Sequence, residues 1–245
     1  MTPHTPFAVV DRSQVSEVRQ SARAAAERAG FSETDAHRAG LVATELATNL
    51  IKHAGPGGQV LLRSSNGPTP EVELIAVDRG PGMPNVAQSM ADGFSTAGSP
   101  GTGLGAIRRM ADLFDIYSQP GKGTVILTRI RPGGSAGAGR PPGFEVGGVS
   151  VAMPGETVCG DAWGAVDDRG RTVIGVVDGL GHGRLAAEAA VTAVRAMTGA
   201  ALASSIEALT AMHAAARHTR GAAGTVASID PRATIVTVAG VGNVA

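Results

Sequence analysis

A twelve-residue run, 132–143, holds nothing but Pro, Gly, Ser, Ala and one Arg, and it cuts this chain of 245 residues in two. Such a run offers no apolar stripe to a helix and no alternation to a strand, so it acts as a linker. Each half must then bury a core of its own. The expectation is two domains, 7–131 and 144–245, joined by 132–143, each of a size that one core can serve. Apolar residues make up 43% of the chain, but aromatics only 3%, while glycines number 35. Cores built from such small residues pack tightly and resist added bulk.

The charges balance at 21 basic and 21 acidic residues, which argues against capture of nucleic acid or of an acidic membrane by net charge. The single Cys159 leaves no internal disulfide and fits a reducing compartment. No basic-then-apolar leader opens the chain and no run of about 18 apolar residues occurs. A cytoplasmic protein without membrane or nucleic-acid partners is expected.

In the first half, Phe7–Val10 reads as an edge strand. Val15, Val18, Ala22, Ala25 and Ala29 recur at helical spacing and Gly30 ends the pattern. Ser32-Glu33-Thr34-Asp35 is a capping-box start for a second helix that runs to His53, where Gly55-Pro56-Gly57-Gly58 breaks it. Glu45, Asn49 and His53 fall four apart on one face of that helix, a spacing that also fits a plain solvated side. Strands follow at 59–64 and 71–77, and the second ends in Asp78-Arg79-Gly80-Pro81-Gly82-Met83. A carboxylate at a strand end beside bare backbone suits an exocyclic amine such as the N6 of adenine. The long stretch 84–100 has little periodicity and reads as a functional loop or lid. Gly101-Thr102-Gly103-Leu104-Gly105 then opens a helix bearing Ile107, Met110, Ala111 and Phe114, and glycines there let backbone N–H groups approach a phosphate. Strands at 114–117 and 124–130 meet at Pro120-Gly121-Lys122-Gly123.

In the second half, 146–152 reads as a strand. A hairpin pairs 160–163 with 173–177 around Asp167-Asp168-Arg169-Gly170 and ends in Asp178-Gly179-Leu180-Gly181-His182-Gly183. Helices near 184–198 and 205–218 precede a last hairpin, 224–229 with 233–239, turning at Asp230-Pro231.

With these residues in view, the first half resembles the GHKL ATPases, the fold of histidine kinases, gyrase and Hsp90. It is most similar to the RsbT group, the serine kinases of sigma-factor partner-switching cascades. Glu45-Leu46-Ala47-Thr48-Asn49 matches the N-box, Asp78 to Gly82 the second box and Gly101 to Gly105 the glycine lid box. Asp92-Gly93-Phe94-Ser95-Thr96 is similar to a signature of that group. The resemblance implies ATP and Mg²⁺ as cofactors, with Asn49 ligating the metal and Asp78 accepting from adenine. It implies that Gly80, Gly82, Gly101, Thr102, Gly103, Leu104 and Gly105 make room for the nucleotide, with Thr124 near the base. Glu45 would be the general base on a Ser or Thr hydroxyl. The implied partners are STAS-domain anti-sigma antagonists or stressosome-like proteins, with a sigma factor or a phosphatase as further candidates.

The second half resembles the SpoIIE/RsbX branch of the PP2C phosphatases. Gly160-Asp161-Ala162 and Asp178 to Gly183 match that family's first two metal motifs, whose aspartates would otherwise be turn residues. The resemblance implies Mn²⁺ or Mg²⁺ held by Asp161, Asp178 and the Gly179 carbonyl. The family's downstream acidic motifs are not reached by Ala245, so half a phosphatase site is expected. The fold class is thus α+β: a GHKL (Bergerat) α/β sandwich, then a partial PP2C-like αββα sandwich. The function expected is a serine/threonine kinase fused to a phosphatase of the same cascade. The alternative is an ATP-binding module that sequesters a partner with little chemistry.

Overall fold

The computed structural model describes residues 3–66, 70–90, 103–134, 144, 146–168, 170–199 and 204–242. The chain divides into two compact units, His4–Gly139 and Arg140–Ala245. The linker run 135–143, the Asp92 to Thr96 signature, and Gly101 and Thr102 lie outside the described residues.

The N-terminal unit begins with β1 (Thr5–Val9), α1 (Ser13–Arg28) and α2 (Glu33–His53). Ser32 caps α2 by accepting the Asp35 N–H through its hydroxyl oxygen at 3.1 Å, as its place before Glu33 and Asp35 dictates. Then come β2 (Gly58–Ser65), β3 (Glu71–Asp78), the one-turn α3 (Val86–Ser89), α4 (Gly103–Met110), β4 (Leu113–Gln119) and β5 (Gly123–Ile130). The strands form one antiparallel sheet in the order β1-β2-β3-β5-β4. Register places Val60, Ala76 and Ile126 side by side, and Leu62, Leu74 and Thr128 in the next row. That face joins Val18, Ala22, Ala43, Leu46 and Ile107 of the helices in one core. Leu46 and Leu74 are fully enclosed, so truncating either to Ala would cost about 2–5 kcal/mol.

The sheet's other face carries Arg63, Glu73 and Arg129 in one row. Glu73 is buried and meets His4 at 2.9 Å, Arg63 at 2.7 Å and Arg129 at 2.6 Å. Burial alone would raise its pKa, but the His4 hydrogen bond and the two guanidinium groups outweigh it and hold the value at about 2. Arg38 of α2 ties distant segments together. It donates to the Met110 carbonyl at 3.1 Å and to the Asp112 carboxylate at 3.2 Å, and also to the Arg131 carbonyl.

Two readings of the sequence are corrected here. The helix after the glycine box stops at Met110; of the two readings of Phe114, as a helix residue and as the start of the strand 114–117, the strand holds, in β4. The Asp112 carboxylate accepts the Arg131 N–H at 2.6 Å besides Arg38, which draws the chain into the sheet. Of the stretch 84–100, read as having little periodicity, 91–100 lies outside the described residues, and the described start holds one helical turn, α3, capped by Asn85, which accepts the Gln88 N–H at 3.0 Å.

The C-terminal unit consists of β6 (Asp161–Asp168), β7 (Arg171–Gly179), α5 (Arg184–Thr198), α6 (Ser205–Ala216), β8 (Ala222–Asp230) and β9 (Ile235–Val241). Its sheet is antiparallel in the order β6-β7-β8-β9. Both helices cover one face: Gly164 lies under Val194, Gly175 under Met197 and Gly224 under Met212. A Cβ on Gly175 would sit 2.4 Å from the Met197 sulfur. Among the described residues this unit has one sheet and one helix layer, so the expected two-sheet αββα sandwich is not built from them. The expected strand at 146–152 is irregular save for a bridge at Val151. Gly148 is pressed on the Trp163 indole, where a Cβ would stand 2.3 Å away. Along β9, Ile235, Val236, Val238 and Val241 are exposed.

Candidate functional site

The polar stripe of α2 faces the start of α4. Glu45 and Asn49, one turn apart, are both half-buried. A Cβ built on Gly103 would lie 3.3 Å from Asn49 Oδ1 and 3.6 Å from Glu45 Oε2, so the lid glycine, the metal-ligand candidate and the base candidate meet at one point. The Asn49 Nδ2 atom is enclosed and has no hydrogen-bond partner among the described residues. Leaving such a group unpaired costs about 1–3 kcal/mol, and a bound group that engages the carboxamide removes that cost. Its chemistry fits a nucleotide with a hard cation: the oxygen can face a metal and the amino group an anionic oxygen.

A second cluster forms around the turn after β3. Asp78 Oδ1 accepts the Gly80 N–H at 2.7 Å and the Thr124 N–H at 3.2 Å, which fixes the carboxylate between two strands. A Cβ on Gly80 would meet the Ala54 backbone at 2.7 Å, just past the end of α2. Gly82 has φ +68 and is packed on the Gln119 carbonyl, where a Cβ would lie 2.2 Å away. The β3 turn is thereby clasped to the β4–β5 turn. The Gly121 N–H donates to the Pro81 carbonyl at 2.8 Å, and the Met83 N–H to the Ser118 hydroxyl at 2.8 Å. Thr124 is buried, its hydroxyl 2.9 Å from that of Ser118.

Of the remaining candidates, Gly105 is buried on α4. The Leu104 side chain packs against the core, which leaves only its backbone for a ligand. His53 is exposed at the end of α2; loss of hydration, then Lys52, lowers its pKa against the pull of Asp78. Sequence reasoning missed Ser118 and Gly123. Gly123 has φ +117, and a Cβ there would lie 2.1 Å from the Asp78 carbonyl. The Gly-Lys-Gly run signalled this position but was read only as a turn.

In the C-terminal unit, Asp161 of β6 and Asp178 of β7 are directly paired in register. Burial, then the charge and hydrogen bond of Asp178, raises the Asp161 pKa. Two carboxylates held this close repel unless a proton or a cation lies between them. The Gly179 N–H donates to the Gly160 carbonyl at 3.2 Å. Beyond β7, His182 Nδ1 bonds the Glu156 carboxylate. Among the described residues no group of three or more His, Cys, Asp or Glu side chains forms a metal site, so the pair alone offers half a donor set. No helix of the described residues is long and apolar enough to cross a membrane.

Residues 9–129 match the model of the histidine kinase-like ATPase domain. The serine/threonine-protein kinase RsbT of Bacillus subtilis (strain 168) is 39% identical over 112 residues, covering 44% of this chain and 81% of that protein. A solved structure of the bacterial stressosome, described as a modular system adapted to control secondary messenger signalling, is 35% identical, with a TM-score of 0.36. It covers 38% of this chain and 48% of its own. RsbX in complex with magnesium is 26% identical over 38% of this chain and 47% of its own, with a TM-score of 0.36. This chain spans about half the length of each of those two structures. Through its N-terminal unit, the chain belongs to the RsbT-type branch of the histidine kinase-like ATPase family.

Proposed function

We propose that the N-terminal unit is an ATP-dependent serine/threonine protein kinase of a partner-switching cascade, acting on a Ser or Thr hydroxyl of a STAS-type or stressosome-like protein. The observation that carries this reading is the approach of Gly103 to both Glu45 and Asn49. ATP with Mg²⁺ would supply the phosphoryl group and the neutralisation of its charge. Asn49 would hold the cation through its amide oxygen. Asp78, held by two N–H groups on one oxygen, would accept the exocyclic amine of adenine, with Thr124 beside the base. Gly80, Gly82, Gly103 and Gly105, with Gly101 and Thr102, would leave room for the nucleotide. Glu45 would take the proton of the acceptor hydroxyl, one helical turn from the metal ligand.

For the C-terminal unit we propose a metal-dependent phosphoserine/threonine phosphatase of the PP2C type acting on the same class of partner. The juxtaposed Asp161 and Asp178 support it, since paired carboxylates can share in binding Mn²⁺ or Mg²⁺, and such a cation activates water for attack on phosphate. Gly179 would add a backbone carbonyl. Opposing activities on one chain raise each other's effective concentration at a common target.

The test is phosphoryl transfer from Mg-ATP to purified STAS-domain proteins. Wild type should transfer, and Glu45→Ala should fall by about 10²-fold or more while still taking up Mg-ADP in calorimetry. No transfer by wild type, or equal transfer by the variant, overturns the kinase reading.

A further inference from the structure

The loop after β7 and the loop leading into β8 meet at the acidic end of the C-terminal sheet. Register sets Asp161, Asp178 and Ala223 side by side on β6, β7 and β8, with Gly179 opposite Ala222. Arg220 stands two residues before Ala222, so the chain delivers it to the strand end that carries the aspartate pair. The Leu180 N–H donates to the Gly221 carbonyl at 3.0 Å and laces the two loops together. The Thr219 hydroxyl donates to the Ala216 carbonyl at 2.6 Å and accepts the Gly221 N–H at 3.3 Å, which fixes the turn bearing Arg220.

Packing then holds the side chain. A Cβ built on Gly181 would lie 3.0 Å from Arg220 Cζ, 3.1 Å from Nη2 and 3.2 Å from Nη1. Near-equal distances to the central carbon and both terminal nitrogens put that point over the flat face of the guanidinium, not at its edge. Gly181 has φ +87, and its bare Cα lets the plane lie so close. The N–H edge stays unspent: Arg220 is exposed and forms no hydrogen bond or ion pair with any described residue. Charge alone does not mark it out, since Arg184 and Arg217 also lack a carboxylate among the described residues. What sets Arg220 apart is a guanidinium pinned by its face, with its donors free, beside two carboxylates.

Those carboxylates call for a cation between them. A phosphate monoester, itself a dianion, approaches them only where that cation and a further positive group offset the repulsion. A guanidinium edge presents parallel N–H groups that match two phosphate oxygens. Resting on the phosphatase reading above, we infer that Arg220 is the phosphate-holding residue of this site, gripping the phosphoryl group of a Ser or Thr phosphomonoester beside the cation that Asp161 and Asp178 bind. Arg220 makes and breaks no bond; it fixes and orients the phosphoryl oxygens.

Calorimetry on the full chain tests this, first with Mg²⁺ and then with O-phosphoserine or inorganic phosphate in its presence. Asp161→Asn supplies the baseline for ions held elsewhere. Wild type should bind phosphoserine with Mg²⁺ present, and Arg220→Ala should bind it about tenfold or more weakly. Arg220→Lys should recover only part, because an ammonium lacks the fork. Without phosphoserine, Mg²⁺ affinity should be kept or rise in Arg220→Ala, since a positive charge has left the neighbourhood of the cation. Arg217→Ala should match wild type. Equal phosphoserine affinity in Arg220→Ala, or a parallel loss of Mg²⁺ and phosphoserine, overturns the assignment. So does a wild type that takes up Mg²⁺ but no phosphoserine, or only inorganic phosphate, and each of these leaves the paired-acid metal site standing. A wild-type chain that binds no more Mg²⁺ than Asp161→Asn overturns the phosphatase reading and this assignment together.

Discussion

Gly80 rests directly on the backbone of Ala54, with room for a hydrogen but none for a methyl group. The turn after β3 and the end of α2 are thereby held in one fixed relation. Gly80→Ala forces one of them to move, since the obstructing atoms are backbone. We predict a loss of about 1–3 kcal/mol and weakened Mg-ADP binding, read by urea unfolding and calorimetry.

Glu73 makes stability depend on acid. Its pKa falls from 4.5 to about 2 on folding, so the folded state binds the proton more weakly than the unfolded chain. The stabilisation is fully present above about pH 4.5 and disappears as pH falls through 2. By linkage it is worth about 3 kcal/mol at neutral pH. Urea unfolding of the N-terminal transition across this range should show the loss, and Glu73→Gln should flatten it.

Arg38 is the rivet between α2 and the end of the sheet. Arg38→Ala leaves the Met110 and Arg131 carbonyls and the Asp112 carboxylate short of one donor each. We expect a cost of about 2–3 kcal/mol, measured by denaturant unfolding, with Arg38→Lys recovering only part because one ammonium cannot span all the acceptors.

The aspartate pair of the C-terminal unit should respond to metal. Adding Mn²⁺ at about one hundred times its dissociation constant would stabilise this unit by about 2.7 kcal/mol, visible as a rise in its melting temperature. Asp161→Asn and Asp178→Asn should each abolish that rise. An equal rise in wild type and both variants would place the ion elsewhere.

How much of this was legible in the sequence varied with the physics of each segment. Helix α2 was readable to the residue at both ends, because a capping serine and a Gly-Pro-Gly-Gly break are local signals. The four-residue spacing of Glu45 and Asn49 on one helix face is a local signal, whereas the clasp formed by Ser118 and Gly123 depends on two turns about forty residues apart meeting in space. The end of α4 was read too far because Ala111 and Phe114 continue a helical spacing, although Phe114 was also read as a strand start; Asp112 answers to Arg38 and Arg131 far along the chain. Residues 146–152 have the alternation of a strand, but Trp163 claims Gly148 for packing. Long-range hydrogen bonds and close approach of backbone decided each of these outcomes, and neither leaves a local trace.

Strand β9 carries its branched side chains in water at the rim of the C-terminal sheet. A strand so placed is a mould for any extended chain that brings a matching greasy edge, its own kind included. Crowding molecules together therefore favours sheets that continue from one to the next, and a lysine introduced at Val238 would be the gentlest way to keep concentrated solutions clear.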